Sequence, residues 1–84
     1  MTNVAEEKVK KIVSETLKTM RGLDIELTKE ISLIDSGMLD SLSIVDVVQG
    51  LQKDFDIEIM VEDITLENFD TIDLIVKFIE KRLG

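Results

Sequence analysis

Apolar residues recur at helical spacing in three stretches of the chain. Val9, Ile12, Val13, Thr16, Leu17 and Met20 fall on one face of a helix over residues 3–20. Thr2 or Asn3 is placed to cap it, Asn3 with Glu6 three positions on, and Gly22 stands as its stop. The clearest pattern covers residues 41–55, where Ile44, Val48, Leu51 and Phe55 form a stripe that Val45 widens. Ser43, Asp46, Gln49, Gly50 and Lys53 occupy the opposite face, and Leu42 and Val47 fall outside the stripe. A last helix over 71–83 is read from Ile72, Ile75, Val76, Ile79 and Leu83, with Asp70 or Thr71 as its cap.

Between these helices the pattern is irregular. Residues 22–40 hold Leu23, Ile25, Leu27, Ile31, Leu33 and Ile34, too many apolar side chains for a loose linker. A connection of this length in a small domain is expected to be pinned to the core, with a helical turn near 29–33. Residues 57–61 alternate as a strand would, but the run is short and interrupted by acids. It is read as loop, leading to a short helix over 61–67. The expected fold is all-α: a small antiparallel four-helix bundle, three main helices plus one short one, in a single domain over 1–84.

Composition removes much chemistry. The 84 residues include no Cys, His, Pro, Trp or Tyr. Disulfides, thiolate metal sites, imidazole ligands and a histidine base are therefore unavailable. A calcium loop starting at Asp54-x-Asp56-x-Glu58 fails, because Ile59 and Thr65 stand where the motif needs Gly and Glu. No apolar run approaches the ~20 residues of a membrane span. The acidic start of the chain does not match a signal peptide, so a cytoplasmic location is expected.

The net charge of −8 is unevenly spread. Residues 1–34 balance, whereas residues 35–73 carry eleven acids against Lys53 alone. Such a field disfavours nucleic acid and suits a basic protein surface.

Asp40-Ser41 precedes the central periodic run and is first of all a helix-cap signal. No His is present to activate the Ser41 hydroxyl and no Lys is placed beside it, so Ser41 is not read as a catalyst. Leu42 and Val47 read either as ordinary exposed apolar residues or as a contact surface beside Ser41. A small acidic helical adaptor or inhibitor, docking on a basic surface, is one function these features allow.

Asp40-Ser41-Leu42, followed by Ser43-Ile44-Val45-Asp46-Val47-Val48 and then by Leu51 to Ile59, resembles the carrier-protein family. That family includes acyl, peptidyl and D-alanyl carriers. The run from Asp35 to Ser41 is closer to the D-alanyl, aminoacyl and specialised carriers than to those of fatty acid synthesis. The resemblance implies a free-standing, monomeric, non-catalytic carrier. It implies 4′-phosphopantetheine attached to Ser41 by a phosphopantetheinyl transferase, between Asp40 and Leu42. Cargo would be held as a thioester and presented to acyl- or aminoacyl-loading and processing enzymes with basic docking surfaces. Leu42, Asp46 and Val47 are then the expected partner contacts. A phosphodiester suits a helix N-terminus, whose amides and dipole favour an anion.

The crowding of acids over 35–73 yields a prediction. Added salt screens their mutual repulsion, so the melting temperature rises by a few degrees between low and moderate ionic strength. A thermal melt series in NaCl checks it, and a flat series refutes it.

Overall fold

Five helical segments account for the regular structure of residues 4–84, which a computed structural model describes. Helix α1 spans Val4–Arg21 and α2 spans Ser41–Phe55. A 3₁₀ turn at Val61–Asp63 precedes the one-turn α3, Leu66–Phe69, and α4 spans Ile72–Leu83. The described residues contain no strand. The all-α bundle expected from the apolar pattern is what forms. The proposed caps of α1, Thr2 and Asn3, lie outside the described residues.

Each helix end has a local cause. At the end of α1, Gly22 adopts φ +66°, a left-handed conformation that glycine takes without a Cβ penalty, and the Leu23 amide donates to Leu17 O at 3.0 Å. Asp56, at φ 53°, ends α2, and the Ile57 amide donates to Gln52 O. Thr65 caps α3 by accepting from the Asn68 amide. Thr71 caps α4 by accepting from the Leu74 amide at 3.1 Å. The expected short helix over 61–67 is split in two, because Thr65 starts a second capped turn.

α1 packs on both α2 and α4, and α3 packs on α4. Val9, Val13, Leu17, Val47, Leu51, Ile72, Ile75 and Ile79 fill the centre. Phe69 and Phe78 close one side with ring centroids 5.2 Å apart. Met20, assigned to the α1 core face by periodicity, is 43% exposed. It lies in the last turn of α1, just before the chain leaves the helix.

The 22–40 connection is pinned, as its apolar content requires. Leu27, Leu33 and Leu39 are buried, and each burial is worth about 1.5–3 kcal/mol. No helix forms at 29–33; a turn closes there, with the Ile31 amide donating to Thr28 O. Asp70 holds the later part. Its Oδ1 accepts from Ser32 Oγ at 2.9 Å, from the Ile34 amide at 3.0 Å and from the Asp35 amide at 2.9 Å. Its backbone carbonyl accepts from the Leu33 amide. The Asp73 amide donates to Lys29 O at 3.1 Å, a further tie between loop and α4. Of the two candidate caps of α4, Thr71 takes that role, while Asp70 staples the loop.

The Asp35 amide is the main reason the Asp70 carboxyl titrates below its ordinary value of 3.8, helped by Ser32 and the Ile34 amide against some desolvation. A depressed folded-state value adds stability that is fully present above the unfolded value and disappears as pH falls through the folded one. Asp70→Asn is expected to lower stability by roughly 2 kcal/mol, since hydrogen bonds to a charged acceptor are the strong ones. Urea melts at pH 7 and pH 3 check this. The gap between wild type and variant narrows at the lower pH, and an equal gap at both would contradict the staple.

Candidate functional site

Ser41 is the first residue of α2 and is exposed. Asp40 before it is extended, with φ −94° and ψ −174°, and is the cap: its Oδ1 accepts from the Ser43 amide at 2.8 Å. Its carbonyl accepts from the Ile44 amide, opening the helical ladder. Asp40 therefore does the capping, and the Ser41 hydroxyl is left at the helix mouth. Helix geometry provides no intrahelical acceptor for the amides of Ser41 and Leu42, so the positive end of the dipole sits at this hydroxyl.

The second carboxylate oxygen of Asp40 faces α1. Arg21 Nη1 donates to Asp40 Oδ2 at 2.9 Å. The Asp40 carboxyl titrates below its ordinary value, chiefly because the Ser43 amide favours the anion. The Ser43 hydroxyl and Arg21 act in the same direction. That hydroxyl is buried and makes no hydrogen bond of good geometry, so its effect on the carboxylate is that of a nearby dipole.

Beside Ser41 lies an open groove of about 430 Å³. Its walls are Ile34 and Leu39 from the pinned connection, Ile44 from α2, and Ile64 and Leu66 from the segment around α3. Asp40 and Ser41 line it as well. A mostly apolar trough thus adjoins the hydroxyl.

The α2 helix is turned relative to the stripe read from periodicity. Val47, expected outside the stripe as a partner contact, is 0% exposed and belongs to the core. Ser43, expected on the polar face, is 1% exposed, while Val45, expected to widen the stripe, is 47% exposed. The cause is the close approach of α1. A Cβ at Gly50 would stand 3.0 Å from Ile12 Cγ2, so glycine lets α1 lie over the Ser43–Val47–Gly50 side of α2. Leu42 is 71% exposed, as a contact residue needs to be. Asp46 is exposed, yet its Oδ2 accepts from Thr16 Oγ1 of α1 at 2.7 Å. It joins α1 to α2 as well as facing solvent.

Sequence reading missed the pairings that Arg21, Thr16 and Asp70 make. Each acts across 19 or more positions of sequence, and no local signal marks such a pairing. Among the described residues no group of three or more acidic side chains converges to hold a metal ion, and no helix is long and apolar enough to cross a membrane.

The residues present fit a phosphodiester-linked group on Ser41: an exposed residue at a helix N-terminus, the helix dipole, a guanidinium paired with the preceding Asp40, and an apolar trough. The family described as "Phosphopantetheine attachment site" matches residues 7–79. An acyl carrier protein of Thermotoga maritima is 42% identical over 78 residues, spanning 92% of this chain and 89% of that protein. A D-alanyl carrier protein of Leuconostoc citreum is 30% identical over 76 residues, spanning 90% of this chain and 97% of that protein. Among solved structures, a chain in the crystal structure of Bradyrhizobium japonicum glycine:[carrier protein] ligase, complexed with its cognate carrier protein and an analogue of glycyl adenylate, superposes with a TM-score of 0.79. The match has 25% identity and covers 94% of this chain and 99% of that one.

Because Asp40 and not Ser41 caps α2, the two side chains are separable by mutation. Asp40→Ala is expected to lower the melting temperature by several degrees, Asp40→Asn by less, and Ser41→Ala hardly at all. Differential scanning calorimetry of the three variants checks the order, and a Ser41→Ala loss matching that of Asp40→Ala would overturn the assignment.

Proposed function

This chain belongs to the phosphopantetheine-attachment family of carrier proteins, and we propose that Ser41 is its attachment residue, modified by a phosphopantetheinyl transferase. The observation that carries this is the exposed Ser41 hydroxyl at the head of α2, relieved of capping by Asp40. The protein is a non-catalytic carrier of acyl or aminoacyl groups. When bound, the arm supplies a terminal thiol, the thioester-forming group that this Cys-free chain lacks.

The chain's own residues do the rest. Asp40 fixes the start of α2 and so the position of Ser41. The dipole and the unpaired amides of the first turn favour the anionic linkage. Asp70 and the buried leucines hold the 22–40 connection, which forms one wall of the groove beside Ser41. Tethering raises the effective concentration of cargo at each enzyme that docks.

Leu42 and Asp46 form the docking surface in this reading, Leu42 by its exposed side chain and Asp46 by the part of its carboxylate that Thr16 does not occupy. The loading and processing enzymes present basic surfaces to the acidic half of the chain. The match between ligase-bound carrier and this chain supports an aminoacyl-loading enzyme among the partners. An adaptor role without an arm is not favoured, since the attachment family spans nearly all of the chain.

Incubation with coenzyme A and a broad-specificity phosphopantetheinyl transferase adds the mass of one arm to the wild type and none to Ser41→Ala. Intact mass spectrometry reads the outcome. No gain on the wild type, or an equal gain on the variant, refutes the assignment.

A further inference from the structure

Two negative charges meet at the head of α2 once the arm is attached. Asp40 is ionised to hold its cap, and the phosphodiester on Ser41 places a second anion on the next residue. Like charges this close repel, and the dipole of one helix offers only about half an elementary charge to offset them.

The cation available is Arg21. It is the last residue of α1, where the Gly22 turn and the Leu23 amide bond to Leu17 O fix the end of the helix. Its guanidinium carries five N–H donors, and Nη1 reaches Asp40 Oδ2 at 2.9 Å. Among the described residues no second cation pairs with Asp40. A fork of this kind satisfies one anion and still has donors for another, which an ammonium on a flexible stem does less well.

We propose that Arg21 is a positioning residue for the loaded form, its guanidinium bridging the Asp40 carboxylate and the phosphodiester on Ser41. This rests on Ser41 being the attachment residue. The bridge makes α2 tolerant of its modification and ties the root of the arm to the end of α1. Removing the arginine costs the apo protein one exposed ion pair of small worth. It costs the loaded protein the one side-chain cation that, among the described residues, pairs at these two anions.

The test compares apo and fully loaded wild type, Arg21→Gln and Arg21→Lys, with intact mass confirming one arm per chain. A wild type that takes no arm overturns the assignment of Ser41 and this inference with it. With the arm in place, the readout is the change in melting temperature on loading, which cancels any purely structural loss common to both forms. Wild type is expected to hold or gain stability on loading. Arg21→Gln loses several degrees at low ionic strength, the loss fades in high salt, and Arg21→Lys recovers part of it. The same change on loading in all three chains overturns the bridge. A second measurement needs no variant: the Arg21 Nε–H resonance of the wild type shifts and exchanges more slowly after loading. A resonance unmoved by loading also overturns it.

Discussion

The carboxylate of Asp70 is the constraint on which the placement of the site depends. The 22–40 connection has no helix or strand of its own, so its shape comes from what it is bonded to. One carboxylate oxygen gathers Ser32 and the amides of Ile34 and Asp35, and the backbone carbonyl of the same residue takes Leu33. That set ties the loop to the junction between α3 and α4. Ile34 and Leu39 thereby become a wall of the groove beside Ser41 rather than part of a mobile strand of chain. An anionic acceptor suits this task because bonds to a charged group are stronger than neutral ones and hold several donors at once.

Around Ser41 the structure divides separate jobs among adjacent residues. Asp40 holds the helix start, Ser41 presents its hydroxyl, Leu42 presents apolar surface, and Ser43 is buried. Successive residues on a helix point about 100° apart, so a run of four faces most directions in turn. The result is a capped helix start with Ser41 exposed at its head. A carrier needs that arrangement, since its cargo must be reachable by several enzymes while the bundle stays folded.

The side of α2 that is buried shows how one small residue redirects a helix face. Gly50 lets Ile12 approach within 3.0 Å of where a Cβ would be. α1 therefore covers Ser43 and Val47, and Val45 is turned outward. The Thr16–Asp46 hydrogen bond joins the same pair of helices, so an exposed acid of α2 also contributes to helix packing.

Much of this was legible in the chain. The apolar period specified three helices to within a residue or two, Gly22 and Thr71 marked helix ends, and Asp40-Ser41 marked the start of α2. These are local signals, readable because the helical repeat and capping chemistry act within one turn. Which side of α2 faces the core was not local: periodicity gives a stripe, but the neighbour that covers it sets its centre. Nor was the pairing of Arg21 with Asp40, Thr16 with Asp46 or Ser32 with Asp70, each between segments far apart in sequence. The sequence by itself determined the helices, the cap and the serine. Only the tertiary structure decided what surrounds that serine, because loop pinning and helix approach are settled by contacts that no single segment contains.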